Sequence, residues 1–438
     1  MIEVIKNTFR IEELRKRIIF TLAMLVVFRI GAHIPIPGID SKALAEFFAA
    51  NSQGLLGHLD MFSGGALRNM TIFALGIMPY ITASIVMQLL TAVFPVLERI
   101  SKEGEAGRRK ITQYTRYGTI ALSLVQGFGI SVGLENMGLG GNKVVLAGIN
   151  SWTFRFTTVT TLTAGTAFIM WVGEQISERG IGNGISLIIF AGIVVGIPAA
   201  IVQSYALFTT GDITLFVILL VVAIIVLVVG VVIFFETANR KLPVQYARRQ
   251  QGRRTFGGQF SHLPLKINAS GVIPPIFASS ILAFPATITS FSSSEWVQAL
   301  GNNLTPGRLL YNFIFVVLIF FFCFFYTAIQ YNPLKIAEEL KRHGGFIPGI
   351  RPGKRTAEYL NLVLTRLTFG GAIYLSSICV LPSLLYYWFN VPFYFGGTAV
   401  LITVGVAMDT VSQMETFLLN RNYDGFTKKS KKKRRRQF

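Results

Sequence analysis

Long apolar blocks separated by charged ones set the pattern of this chain. Ile213–Phe235 carries no charged residue, and Leu309–Gln330 is equally apolar and rich in Phe. A helix that crosses the hydrocarbon core needs roughly 20 mostly apolar residues. The same test places further spans near 18–37, 71–95, 117–137, 154–176, 183–207, 267–285, 367–387 and 395–419, about ten in all. Continuous apolar runs exclude a membrane β-barrel, whose strands alternate over roughly ten residues. The pattern predicts an all-α polytopic membrane protein. Its first run, from Ile18 to about Pro37, is too long for a signal-peptide core, and no small-residue cleavage site follows it. It reads as a retained membrane anchor.

Composition agrees and adds orientation. The 438 residues are 52% hydrophobic and only 14% charged, yet 41 Lys+Arg against 21 Asp+Glu leave a net charge of +20. A soluble chain carries roughly 25% charged residues, and the mean hydropathy here is +0.55. Lys and Arg fall in 1–17, 96–116, 177–182, 236–266, 332–366 and the tail from 420, which together hold 35 of the 41. The opposite ends hold only Lys42, Arg68 and Lys143, while Arg29, Arg155 and Arg308 lie in or beside spans. Such asymmetry places the basic ends, and both termini, in the cytoplasm. An even number of spans follows, in agreement with ten.

Two spans are less apolar than the rest. The span 71–95 contains Pro79, Thr82, Ser84, Gln88 and Thr91, and 267–285 contains Asn268, Ser270, Pro274, Pro275, Ser279 and Ser280. Small and hydroxylated residues help helices pack closely; they equally suit a helix that faces a hydrated pore or an opening seam. The segment Met61–Met70, Met-Phe-Ser-Gly-Gly-Ala-Leu-Arg-Asn-Met, is semi-apolar and far too short to cross. It reads either as an interfacial loop or as a re-entrant piece, which is tolerated at depth only when protein or a cavity surrounds it.

Covalent chemistry finds little support. Cys323 and Cys379 sit in apolar stretches, and His33, His58, His262 and His343 have no metal-ligand spacing. Glu135 and Glu174 fall near span ends, and Asp409 and Glu415 near the cytoplasmic end of the last span. This scarcity of intramembrane acids argues against a proton-coupled transporter. Gly349–Arg355 misses the phosphate-binding loop pattern in spacing and in lacking the Ser/Thr for magnesium. No nucleophile–base pair stands out, so the chain is expected to be no enzyme and to need no cofactor or metal.

Two large basic loops remain, 236–266 with Arg248, Arg249, Arg253 and Arg254, and 332–366 with Lys335, Lys341, Arg342, Arg351, Lys354 and Arg355. Topogenic charge attracted to anionic lipids explains their sign but not their length. Arg clusters suit phosphate and carboxylate recognition, which points to a large acidic or RNA-bearing cytosolic partner. A small-molecule transporter and a membrane-anchored RNA- or lipid-binding scaffold are the competing classes. The first lacks a mid-membrane coupling site, and the second leaves the polar spans unexplained.

Specific motifs sharpen this picture. Phe28–Gly31 with Ile34–Asp40, Met61–Leu67 with Phe73–Ile81, Gly173–Ile176 with Glu178–Ser186, Gln250–Arg254, His262–Lys266, Gly349–Gly353 and Val391–Thr398 together resemble the SecY family, the channel subunits of the bacterial protein-conducting translocon. The resemblance spans nearly the whole chain, excluding the tail Lys428–Phe438. It implies ten helices in two pseudo-symmetric halves around a central pore, 1–207 and 208–419, followed by a basic tail, 420–438. No internal repeat is visible in the sequence, so the symmetry is implied only.

By the same resemblance, Ile77, Ile81, Ile189, Ile276 and Ile402 form an aliphatic pore ring. Ile77 and Ile81, four apart, project from one helix face, and an apolar constriction blocks ions by dewetting. The residues Met61, Phe62, Ser63, Gly64, Gly65, Ala66, Leu67, Arg68, Asn69 and Met70 match the plug, a short helix that fills the outer cavity at rest. Thr82, Gln88 and Asn268 match the lateral gate, where signal sequences intercalate and helices exit into lipid. Arg253, Arg254 and Arg351 match positions that dock the ribosome or the motor ATPase SecA. The implied function is passive conduction of unfolded preproteins, with lateral release of hydrophobic helices. The implied partners are SecE, SecG, SecA, the ribosome, signal-bearing preproteins and anionic lipids.

Overall fold

The computed structural model describes residues 11–40, 43–44, 60, 63–136, 138–139, 142–146, 150–211, 214–246, 249–251, 254–256, 260–290, 308–389 and 397–434. A helix stands at each of the ten expected span positions. In chain order the helices are α1 (Glu12–Gly31), α2 (Met78–Val93), α3 (Pro95–Lys102), α4 (Glu105–Asn136), α5 (Ser151–Arg179), α6 (Gly184–Thr209), α7 (Leu215–Thr237), α8 (Ile273–Ser290), α9 (Leu309–Gln330), α10 (Pro333–Arg342), α11 (Lys354–Phe389) and α12 (Gly397–Arg434). Seven of these regions are long and apolar enough to cross a membrane, and the bent pair α2–α3 makes an eighth. The other two, α1 and α8, occupy the places of the first and seventh expected spans. Arg15, Lys16, Arg17 and Arg29 lower the apolarity of α1, and polar residues precede α8.

Local chemistry sets several ends. Asn150 caps α5 by accepting the Trp152 N–H, and Asn332 caps α10 by accepting those of Leu334 and Lys335. Pro79 and Pro95 sit in the first turns of α2 and α3, where a missing N–H costs no hydrogen bond. Between those helices the chain bends by 99°. The 23 residues of α7 reach about 34 Å at 1.5 Å per residue, enough for the core of a bilayer. Leu215, Phe216, Leu219, Val226, Leu227 and Phe234 on this helix are exposed, an arrangement that suits a lipid-facing surface.

The described parts of the basic loops carry β-structure. The strands β3 (Asn239–Tyr246) and β6 (Phe260–Lys266) pair antiparallel, and β7 (Gly345–Phe346) joins the other side of β3. Leu242 and Leu265 from this sheet pack with Ala337, Ile347, Leu360 and Leu364. Two short hairpins complete the strands, β1 (Gly138–Leu139) with β2 (Asn142–Lys143) and β4 (Arg249–Gln251) with β5 (Arg254–Phe256).

The chain divides into two compact units. The first is Met1–Gln203 with Ala283–Thr305 and Ile402–Phe438, and the second is Ser204–Leu282 with Pro306–Leu401. In the first, Ile36, Leu67, Met70, Leu75, Leu134, Phe154 and Leu162 share a buried core. Phe73 is wedged into this unit between two glycines. A Cβ on Gly31 of α1 would overlap the Phe73 ring, and one on Gly165 of α5 would overlap the Ile72 carbonyl oxygen. The Phe73 ring stacks on Phe28 at 6.0 Å and on Phe168 at 5.9 Å between centroids. The chain just before α2 is thereby fixed between α1 and α5.

Candidate functional site

The segment that leads into α2 folds back on itself within the first unit. Met61 and Phe62 lie outside the described residues; Gly64 to Met70 form a succession of turns. The family resemblance implies a short helix here. Asp60 and Ser63 are helical, and Gly64 at φ +68° and Gly65 at φ +84° take left-handed backbone, which ends that geometry after Ser63. Asp60 organises the turns. Its carboxylate accepts the Arg68 N–H at 2.8 Å, while its carbonyl accepts from the Ser63 hydroxyl at 2.9 Å and from the Gly65 N–H at 3.0 Å. Burial pushes the Asp60 carboxyl above its usual range, against the opposing pull of the Arg68 N–H and guanidinium.

Further contacts hold this segment against its surroundings. Ala66, Leu67 and Met70 are buried, and the Ile36 N–H donates to the Met70 carbonyl at 3.0 Å. Gly64 makes the two closest approaches. A Cβ there would lie 2.9 Å from the Gly192 Cα of α6, and the Arg29 guanidinium of α1 donates to the Gly64 carbonyl at 2.7 Å.

Four of the five isoleucines expected in the ring belong to the first unit. Ile77 caps α2, and its carbonyl accepts the Ile81 N–H at 3.1 Å, so the two side chains leave from successive turns. Ile77, Ile81, Ile189 and Ile402 are all buried. Ile276 lies in the second unit, in the first turn of α8, and is half-buried.

The polar residues of the two weaker spans bond in different ways. Those of α2 are satisfied along their own helix. The Thr82 hydroxyl donates to the Met78 carbonyl at 3.0 Å, and the Gln88 amide donates to the Ser84 hydroxyl at 3.3 Å. Asn268 lies before α8 rather than inside a span, in a bend that ends at Ile273. Its side chain is 2% exposed. Its amide donates to Glu236 of α7 at 2.6 Å and to the Gly271 carbonyl at 3.1 Å, and its oxygen accepts from the Ser270 hydroxyl at 3.2 Å.

Of the three expected docking arginines, Arg253 lies outside the described residues and Arg254 falls on β5. Arg351 is exposed, in a turn between Gly349 at φ +81° and Gly353 at φ +104°. The Thr356 hydroxyl donates to the Arg351 carbonyl at 2.9 Å and fixes this turn to the start of α11. Lys335, Lys341, Arg342, Lys354 and Arg355 are also exposed, so the second unit carries a broad basic surface. Among the described residues no cluster of His, Cys, Asp and Glu has the makings of a metal site.

Comparison with known proteins follows the same lines. A family model described as SecY matches residues 71–411. The protein translocase subunit SecY of Pseudomonas aeruginosa is 52% identical over 424 residues, covering 96% of this chain and 94% of its own. The Escherichia coli K12 protein of the same name is 50% identical over 422 residues, covering 95% of each. Two solved structures share the fold, each covering 92% of both chains. One is a protein-conducting channel, at 18% identity and a TM-score of 0.63. The other is Sec61 in the canine ribosome–channel complex from the endoplasmic reticulum, at 16% identity and a TM-score of 0.62.

Proposed function

The chain belongs to the SecY family of protein translocase subunits, and we propose that it is the passive channel through which unfolded preproteins cross the cytoplasmic membrane. The observation that carries this reading is the Ser63–Met70 segment. It is too short to cross, yet it is folded among helices of the first unit, where Leu67 and Met70 are buried. A channel that must be tight at rest and open to a polypeptide needs such a displaceable piece.

The remaining roles follow from chemistry. Ile77, Ile81, Ile189, Ile276 and Ile402 form the constriction, where apolar side chains exclude hydrated ions. Thr82, Gln88 and Asn268 lie on the seam that opens sideways; polar groups let such a seam accept water at modest cost. Arg253, Arg254 and Arg351 dock SecA or the ribosome, whose carboxylates and phosphates match arginine's planar fork. The partner supplies the energy, and the chain itself carries out no covalent step. Both termini are cytoplasmic by the positive-inside rule. The pore is enclosed by the halves 1–207 and 208–419, with SecE and SecG as membrane partners and anionic lipids around the basic ends.

Reconstitution tests the reading. Proteoliposomes with SecE, SecG, SecA and ATP should import a signal-bearing preprotein only when this chain is included. Equal import without it would remove the channel assignment.

A further inference from the structure

Arg29 is a charged residue within the first expected span, and topology alone does not require it there. It lies in the last turn of α1 and is half-buried. A cation near a helix C-terminus gains from the macrodipole, but that would leave its guanidinium free to turn towards solvent. Instead the side chain reaches across to the plug segment, and its Nη1 donates to the Gly64 carbonyl at 2.7 Å. A charge-assisted hydrogen bond of that length, partly shielded from water, is among the stronger side-chain contacts a protein makes.

The acceptor is equally particular. Gly64 stands at φ +68°, where a side chain would be strained, and its Cα face lies against Gly192 of α6. One residue is therefore pressed against α6 on one side and held by α1 on the other. Among the described residues, the other polar bonds of Asp60, Ser63 and Arg68 stay inside the segment: Asp60 with Ser63, Gly65 and Arg68, and Ser63 with Leu67. These can move with it as a body. The Arg29–Gly64 bond cannot, because its donor belongs to α1; backbone bonds from Ile36 to Met70 and from Thr71 to Ala66 also leave the segment, but Arg29 makes the charged one.

We propose that Arg29 is a positioning residue that latches the Ser63–Met70 segment in its resting place through the Gly64 carbonyl, and so sets the threshold for opening. The inference rests on the channel reading above and assigns a part of it that the family motifs leave unassigned. Displacing the segment breaks the bond and leaves a cation in a spanning helix without that acceptor, which is costly. The carbonyl oxygens of an entering chain are chemically suited to take its place, so opening would be favoured when a substrate is present.

The test uses the full chain with its membrane partners in planar bilayers and reads resting ion conductance. Loss of a charged hydrogen bond shifts a closed–open equilibrium by roughly 10- to 100-fold, so Arg29→Met should raise the resting conductance by at least about tenfold. Arg29→Gln keeps an N–H donor without the charge and should fall between the parent and Arg29→Met. Deletion of Ser63–Asn69 should leak by itself, and Arg29→Met should add nothing on that background. A tight Arg29→Met channel beside a leaking deletion would overturn the latch while the plug assignment stands. A further leak from Arg29→Met on the deletion background would overturn it too, since Arg29 would then act elsewhere. A deletion that does not leak would remove the plug assignment and the latch with it. If Arg29→Met fails to assemble, Arg29→Gln decides, and parent-level conductance in that variant overturns the proposal.

Discussion

Gly165 illustrates how a single hydrogen atom in place of a side chain positions the candidate site. An added Cβ would overlap the Ile72 carbonyl oxygen, which is backbone and has no rotamer by which to yield. Gly165→Ala should therefore push the chain entering α2 away from α5. Overpacking of this kind costs roughly 1–3 kcal/mol, and thermal unfolding of the detergent-solubilised complex should show a lowered midpoint. Gly118→Ala is the matched control, because its Cβ would meet only the Ala83 Cβ at 3.5 Å. Relief of the helix-interior glycine penalty, up to about 1 kcal/mol, should leave that variant as stable as the parent or slightly more so. Neither behaviour is visible in the residue types, since the two glycines look alike in sequence. The isoleucines expected in the ring pose the same difficulty. Ile77 and Ile81 have the spacing of one helix face, but isoleucine is common throughout these spans, and only motif resemblance singled out five of them. Arg29 was legible as a charge in a span; its partner 35 residues away was not.

Helices were the most legible elements, because a bilayer demands long apolar runs with internally bonded backbone. The strands in the basic loops were not. Leu242 and Val244 alternate with polar neighbours in β3, but Pro243 and Pro264 lie within the paired strands and argue against a ladder. The register resolves the conflict. Pro243 pairs with His262 on one side, while β7 joins the other side of β3 only at Gln245 and Tyr246, beyond the proline. Leu265, 3% exposed, ties this sheet to Leu360 and its neighbours at the start of α11. Leu265→Ala should cost roughly 2–5 kcal/mol locally. Hydrogen exchange should accelerate at the amides of β3 and β6 while those within α7 and α9 keep their protection. Unchanged exchange in the strands would mean that the cluster does not hold the sheet. The turns at Gly64 to Met70 were not legible either, since they depend on the left-handed backbone of the Gly64–Gly65 pair.

At the scale of the whole molecule, charge and hydropathy act on different questions. The 35 basic residues on one set of ends are the charge from which the expected orientation is read, and the proposed docking role concerns only some of them. Arg351 is exposed in a turn held by backbone and by Thr356. Reversing its charge should leave the fold and membrane assembly intact, since surface changes of this kind rarely exceed about 0.5 kcal/mol. With Arg351→Glu, SecA-driven preprotein transport should nevertheless collapse, as measured in proteoliposomes that contain normal amounts of the complex. Normal transport would move the docking surface elsewhere. The sequence by itself determined the membrane class, the ten helical segments and the concentration of positive charge, because each follows from summed properties of contiguous residues against a bilayer of known thickness. Tertiary structure alone decided where the Ser63–Met70 segment is held, that Asn268 bonds to Glu236, that the basic loops form a sheet, and which glycines admit no side chain. Those facts depend on atoms distant in the chain meeting within about 3 Å, the reach of a hydrogen bond, and no local pattern of residue types encodes such a meeting.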